Sequence, residues 1–320
     1  MSYETRAHVL KGAVRKLLHS YGASLGMFLL LMLAALYVFT GRPSGAPDFP
    51  RSPSEFMQAA KAERRLGELS ERLAAEPDDM KALAEAGRLK YQLGPDHYVE
   101  AIADLERARS LGLADARTFY YLGNMYQAVG LYDFAAQEYR KFLNNYPDDA
   151  EARMLLAKLS YGAGDYAGAV REYETLAKAS PSDPVLLENL ALSRWKNKQD
   201  YSAALSGMRA LGPQGAFLAD YAEGRIKYDQ KDYPGAAQLL GRAAAAADGA
   251  GAFADEANLF WTAADSAYRN KDAEAAYGLV QRLLKVSPDH AEGRSLLARL
   301  EKARAAAAKA AAKAASGRKK

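Results

Sequence analysis

Four histidines are the residues from which metal binding or acid–base catalysis in this sequence would have to start, since the chain has no cysteine. His8 and His19 flank an apolar stretch, His97 lies in an inserted turn, and His290 follows a proline-containing turn. None of them has another histidine or a carboxylate at a spacing that would build a metal site, and no GxxxxGK[ST] phosphate loop occurs. The sequence therefore predicts a protein that is not an enzyme and that needs no metal or other cofactor.

Acidic residues are the other groups with catalytic potential, and many of them lie in turns beside prolines. Asp and Ser in such turns orient the backbone and cap the helix that follows. We therefore interpret the pairs Asp78/Asp79 and Asp148/Asp149, together with Asp183, as turn and capping residues and not as paired catalytic carboxylates.

The elements that would position any side chain are helices in a repeated pattern, which is clearest between Ala116 and Asp149. With Ala116 as position 1, the signature residues are Phe119 (4), Leu122 (7), Gly123 (8), Tyr126 (11), Gly130 (15), Tyr132 (17), Ala135 (20), Phe142 (27) and Pro147 (32). This pattern resembles the tetratricopeptide repeat (TPR), a 34-residue helix-turn-helix unit with small residues where its helices cross. The resemblance implies an all-α fold, a right-handed α-solenoid of stacked units.

Six units result when the template is extended in both directions from Ala116. Together they cover 80–290, with bounds at 80–115, 116–149, 150–183, 184–216, 217–256 and 257–290. The first unit has two extra residues in its turn, and the fifth ends in an Ala/Gly-rich extension. The resemblance covers about residues 54–305.

Non-repeating helices are predicted at both ends of the array. A leading helix at 54–79 would bury Leu66, Leu69 and Leu73. A capping helix at 291–305 would close the other end, as repeat arrays require. The Ala/Lys-rich tail at 306–320 has high helix propensity, and it either binds an anionic polymer or lipid or is simply a soluble helical tail.

The N-terminal stretch 22–40 contains 19 residues without a charge, which is enough for a helix to cross a hydrocarbon core. We interpret it as a transmembrane helix, with a cleaved signal peptide as the alternative. The preceding segment 1–21 is basic, so the positive-inside rule predicts a cytoplasmic N-terminus and a C-terminal portion on the far side. That segment is either a topology signal or an amphipathic helix that lies on anionic lipid or docks a cytoplasmic partner.

The segment 41–53 contains four prolines and two glycines, and this composition predicts an extended linker that holds the repeats away from the bilayer. The net charge of the chain is +4, but the basic residues are concentrated at the two ends. Residues 41–290 contain 30 basic and 36 acidic side chains. A mildly acidic body argues against a nucleic acid partner.

The resemblance to TPR proteins also implies a binding surface, because positions 2, 5, 9 and 12 of each first helix line a groove that accepts peptides in that family. Here positions 5, 9 and 12 are rich in aromatic and polar side chains. The predicted peptide-binding groove consists of Arg88, Tyr91, Tyr120, Asn124, Lys158, Tyr161, Trp195, Tyr221, Arg225, Tyr228, Trp261 and Tyr268. Such faces suit an extended or helical peptide. The alternative is that these tyrosines only pack between helices.

Some TPR proteins grip the C-terminal carboxylate of a chaperone with a Lys/Asn/Asn/Lys/Arg clamp. Asn124 and Lys158 match part of that clamp, whereas Tyr120, Met154 and Glu188 do not. A chaperone tail is therefore not the expected ligand.

The sequence thus predicts a membrane-anchored scaffold or adaptor that recruits partner proteins through its groove. The expected location is a bacterial inner membrane, with the repeats in the periplasm. Two alternatives remain: a self-assembling structural scaffold of an envelope machine or organelle, and an assembly or chaperone-like factor for secretion or c-type cytochrome maturation.

Overall fold

The computed structural model of the chain describes residues 48–247 and 256–317, with side chains up to residue 310. These residues form α-helices joined by short turns, and no β-strand occurs among them. The fourteen helices of the described ranges are α1 (Ala59–Ala75), α2 (Met80–Leu93), α3 (Tyr98–Ser110), α4 (Ala116–Ala128), α5 (Tyr132–Asn145), α6 (Ala150–Gly162), α7 (Tyr166–Ala179), α8 (Pro184–Lys196), α9 (Ser202–Arg209), α10 (Pro213–Asp229), α11 (Tyr233–Ala246), α12 (Glu256–Arg269), α13 (Ala273–Val286) and α14 (Ala291–Gly317).

Several predictions fall wholly or partly on residues outside these ranges: the basic segment 1–21, the apolar stretch 22–40, residues 41–47 of the linker, most of the Ala/Gly-rich extension before α12, and the last three residues of the tail. Among the residues that the structure does describe, no helix combines the length and the apolar character that crossing a membrane requires. The predicted all-helical class is confirmed, while the right-handed course of the array stays a prediction.

The chain divides into two compact units, one up to Ala152 and the other from Arg153 onward. In unit 1, α2 pairs with α3 and α4 with α5, and α1 packs on α2. In unit 2, α10 pairs with α11 and α12 with α13. Short turns join these partners, so each pair is a helical hairpin, the element expected of a TPR unit.

Small residues at two template positions let paired helices approach closely. Position 20 is occupied by buried alanines throughout: Ala101, Ala135, Ala169, Ala204, Ala236 and Ala276. At position 8, a Cβ added to Gly123 would lie 2.7 Å from the Cε1 atom of Tyr139. A Cβ on Gly224 would lie 2.6 Å from the Cγ atom of Leu240. These positions therefore exclude larger side chains for a steric reason.

Turns between helices use two recurring devices. The carboxylates of Asp79 and Asp183 each accept hydrogen bonds from backbone N–H groups in the first turn of the next helix. Position 15 of five units has a left-handed backbone, at Gly130, Gly164, Lys198, Lys231 and Lys271. Three of these five residues are lysines, for which that conformation is strained.

The helix bounds differ from the predicted ones at several points. The leading helix begins at Ala59 and not near Ser54, because residues 53–55 form a 3-10 turn. In the fourth repeat the second helix has only eight residues, and α10 starts at Pro213, a residue that favours the first turn of a helix. The final helix continues to Gly317, since its alanines and lysines have high helix propensity.

Candidate functional site

In unit 1, the predicted groove residues Tyr91, Tyr120 and Asn124 lie together on the faces of α2 and α4. Asn124 links two tyrosines: its Nδ2 donates to the Tyr91 hydroxyl over 3.0 Å, and its Oδ1 accepts from the Tyr139 hydroxyl over 2.5 Å. The Tyr91 ring is 4.8 Å from that of Tyr121 and stacks on that of Tyr98. This hydrogen-bonded aromatic cluster is thus fixed by the repeats themselves.

The aromatic cluster is covered by a segment of the same chain that precedes the first α-helix, Phe49–Met57, which we call the docked segment. The Phe49 ring stands edge-on to Tyr120 and Tyr121, at 5.3 Å from each, and to Phe142 at 6.1 Å. Only 8% of Phe49 is exposed, and Tyr120 beneath it is 1% exposed. The Tyr121 hydroxyl donates to the Pro50 carbonyl oxygen over 3.0 Å.

Arg51 makes the charged contact of the docked segment. Its guanidinium donates to both carboxylate oxygens of Asp149, over 2.7 and 3.1 Å, and to Glu151 Oε2 over 2.9 Å. It also lies 4.6 Å from the centre of the Tyr120 ring. Burial by itself would lower the pKa of Arg51. The hydrogen bonds to the two carboxylates outweigh this effect, so the pKa of Arg51 lies above its ordinary value. Arg51 is therefore held as a cation in a largely buried site.

The C-terminal part of the docked segment is held by two further contacts. The Phe56 ring lies 5.7 Å from Tyr91, and the Met57 N–H donates to Gln92 Oε1 over 3.0 Å. Between Arg51 and Phe56, the Glu55 carboxylate accepts hydrogen bonds from the Arg51 and Ser52 N–H groups and so sets the local turn.

The docked segment differs from the sequence-based expectation for 41–53. An extended linker was expected there, but its last residues pack against the repeats because Phe49 and Arg51 find aromatic and acidic partners on α4, α5 and the start of α6. One of these partners could have been found from the template, since Glu151 occupies groove position 2 of the third repeat. Nothing in the repeat pattern points to Phe49.

In unit 2, the predicted groove residues have varied surroundings. Tyr221 is buried, and its hydroxyl accepts from Asn258 Nδ2 over 3.0 Å. The Tyr228 hydroxyl donates to Asp265 Oδ2 over 2.7 Å. The remaining predicted residues lie as follows: Tyr161 packs edge-on to Tyr166, Trp195 lies under the Lys196 ammonium, Arg225 lies beside Tyr221, and Lys158 is exposed.

A cavity of about 590 Å³ between α12 and α14 brings together the last two predicted residues, Trp261 and Tyr268. Tyr268 is 39% exposed, and the Trp261 ring lies 5.0 Å from that of His290. The rest of the lining is Asp265, Arg269, Ala291, Glu292, Ser295, Leu296 and Arg299. We call this space the α12–α14 cavity. It combines two aromatic faces with charges of both signs, and the residues from α14 are outside the repeat template.

Arg88, the remaining predicted residue of unit 1, lies 3.3 Å from Asp115. Asp115 caps α4, so Arg88 contacts a helix-capping carboxylate. Burial is the main cause that lowers the pKa of the Arg88 guanidinium.

Across the two described ranges, no group of three or more His, Cys, Asp or Glu side chains could hold a metal ion.

The buried tyrosines make a testable difference at alkaline pH. Burial raises the pKa of Tyr91 and of Tyr173 from 10.0 to about 12. Between about pH 10 and 12 the unfolded chain loses these protons while the folded chain keeps them, so the free energy of unfolding falls as the pH rises, by up to about 1.4 kcal/mol per pH unit for each group. Urea unfolding at several pH values, with tyrosinate absorbance followed in parallel, measures this. A free energy of unfolding that stays constant across the interval would contradict the burial of these hydroxyls.

No model of a known protein family matches the sequence, and no curated protein matches it significantly. Among solved structures, one similar chain is the C-terminal part of a TPR repeat-containing protein from Cytophaga hutchinsonii, with 18% identity, coverage of 75% of this chain and 99% of that chain, and a TM-score of 0.51. PilW, a type IV pilus biogenesis factor, has 20% identity, coverage of 66% and 98%, and a TM-score of 0.47. The first of these similarities shows the fold, and the described part of the chain therefore has the helical-repeat fold of tetratricopeptide repeat proteins.

Proposed function

We propose that this protein is a non-enzymatic scaffold that binds extended segments of partner proteins on the faces of its first helices. The docked segment is the observation that supports this proposal. It shows which contacts the surface offers to a non-helical chain: an aromatic seat for Phe49, a hydroxyl for the Pro50 carbonyl and two carboxylates for Arg51. These are the contacts by which interaction surfaces recognise an extended peptide.

The α12–α14 cavity is the surface that we assign to partner binding in unit 2. Trp261 and Tyr268 supply apolar area, and aromatic residues of this kind carry much of the energy of protein interfaces. Arg269 and Glu292 lie at the same cavity and can orient polar groups of a partner. The volume of the cavity, about 590 Å³, lies within the range of ligand-binding pockets in proteins.

Membrane attachment forms part of the proposal and rests on the sequence. The uncharged stretch 22–40 is the proposed anchor, with a cytoplasmic N-terminus and with the repeats on the periplasmic side of a bacterial inner membrane. An alkaline phosphatase fused to the C-terminus should be active in cells, and the protein should stay with membranes after carbonate extraction. An inactive fusion would contradict the orientation, and release by carbonate would contradict the anchor.

Site-specific photocrosslinking in cells tests partner binding directly. With the crosslinker in place of Tyr268, we expect an adduct to a second protein that is lost when Trp261→Ala is added, because Trp261 is the other aromatic side chain of the cavity lining. The matched control carries the crosslinker at Val286, an exposed position of α13. Equal adducts from both positions, or an adduct only to a second copy of this chain, would contradict the proposed role of the cavity.

A further inference from the structure

The docked segment has the features of a ligand of unit 1. The repeats hold it with side chains: the Tyr121 hydroxyl, the Gln92 amide and the carboxylates of Asp149 and Glu151. Residues between the anchors, such as Pro53 and Ser54, are exposed. A chain held at separate points by side chains can be exchanged for another chain that offers the same groups.

The acidic end of this surface is built to receive an arginine. Asp149 is oriented by the repeats, because its Oδ1 also accepts from the Ala152 N–H over 2.9 Å in the first turn of α6. Glu151 is oriented likewise, since its Oε1 accepts from the Tyr120 hydroxyl over 2.7 Å. The side chain of Asp149 is 6% exposed with Arg51 in place. The planar fork of a guanidinium matches both oxygens of Asp149 at once, which a lysine ammonium does not.

The aromatic end selects a ring two residues before the arginine. Phe49 meets three rings at edge-on angles of 71° to 81°. Its own face lies 4.7 Å from the Arg51 guanidinium, which in turn covers Tyr120. The ring and the guanidinium therefore fill one continuous site, and the spacing aromatic-x-Arg follows from it.

We propose that the docked segment is an internal competitor, and that the partner of unit 1 is an extended peptide with the pattern aromatic-x-Arg that replaces it. This inference rests on the proposed function and adds to it the class of ligand and its control. Because the segment belongs to the same chain, its effective concentration at the surface is on the order of millimolar. The apparent affinity for partner peptides is then the intrinsic affinity multiplied by the fraction of molecules in which the surface is free.

Binding of a fluorescent peptide with the sequence of Asp48–Met57 to the full-length protein in detergent tests the proposal. The Phe49→Ala/Arg51→Ala double variant should bind this peptide at least about tenfold more tightly than the unchanged protein, because its own segment no longer competes. Adding Asp149→Asn to the double variant should weaken binding at least about tenfold while keeping the helix cap, since Asn caps as well as Asp. A peptide with lysine in place of the arginine should bind about tenfold more weakly.

Three results would overturn the inference: no binding to the double variant at about 1 mM peptide, equal binding to the unchanged protein and the double variant, or equal binding of the arginine and lysine peptides. Circular dichroism checks that the double variant is folded, and Arg51→Gln serves as a milder second variant. Failure here with an intact crosslink at position 268 would reject the inference alone, because that crosslink tests unit 2. Loss of the position 268 adduct would instead reject the proposed function of the cavity.

Discussion

The Phe142→Ala variant is expected to lose about 3–5 kcal/mol of the free energy of unfolding, the range for large-to-small changes at buried aromatic positions. Phe142 on α5 is fully buried. Its ring lies 5.4 Å from that of Tyr120 and 5.0 Å from that of Tyr146. Truncation would leave a cavity under the seat of Phe49, so the variant should also release the docked segment.

Phe134→Ala is the matched control, because Phe134 lies on the same helix and is 53% exposed. It should change the free energy of unfolding by less than about 1 kcal/mol. Hydrogen exchange of the α4 and α5 amides is a suitable measurement, since both tryptophans of the chain, Trp195 and Trp261, lie in unit 2 and do not report on unit 1. Equal effects of the two alanine substitutions would contradict the difference in burial between Phe142 and Phe134.

The second large effect is expected at Gly224→Ala, which should destabilise unit 2 by about 1–3 kcal/mol although alanine is the better helix former. A Cβ at this position would lie 2.6 Å from Leu240 Cγ and 3.2 Å from the Leu240 backbone nitrogen. The side chain of Leu240 could rotate away, but its backbone is fixed within α11. Helices α10 and α11 would therefore have to move apart.

Gly241→Ala provides the control of opposite sign, because Gly241 lies in α11 and a Cβ there would meet no atom within 4 Å. It should stabilise the protein by about 0.5–1 kcal/mol through helix propensity alone. Tryptophan fluorescence during urea unfolding reports both variants, as Trp195 and Trp261 belong to unit 2. Two shifts of the same sign would contradict the close crossing of α10 and α11.

The repeat architecture could be predicted because its determinants are local and recur. Gly123 and Ala135 are twelve residues apart, and the same spacing of small residues returns in other units, so a single sequence contains several copies of the signal. Where the copies depart from the template, prediction failed in detail. The short α9 and the early start of α10 at Pro213 follow from the turn around Gly212, which has no counterpart at that position in the other units.

The arrangement of the candidate surfaces could be predicted only in part, and their role in binding stays a prediction. Tyr91, Tyr120 and Asn124 follow from their template positions, and the structure places them in one cluster. The pairing of Arg51 with Asp149 joins residues 98 positions apart, one of which lies outside every repeat, so no periodic pattern contains it. For the same reason Glu292 and Arg299, which α14 contributes to the α12–α14 cavity, were not foreseen.

The lysines with a left-handed backbone in the turns of repeats four to six also have a practical use in protein engineering. Lys198, Lys231 and Lys271 have φ values of 57°, 63° and 64°, a conformation that costs an L-residue about 1–2 kcal/mol but is free for glycine. Replacement by glycine removes this strain from the folded state. The greater conformational entropy of glycine in the unfolded chain offsets about 0.5–1 kcal/mol of the gain. Lys198 and Lys231 are not among the residues that line the α12–α14 cavity, whereas the Lys271 N–H donates to the carbonyl oxygen of Tyr268, a lining residue. The turns at Lys198 and Lys231 thus provide a way to raise the melting temperature of unit 2 while the lining of the cavity stays unchanged.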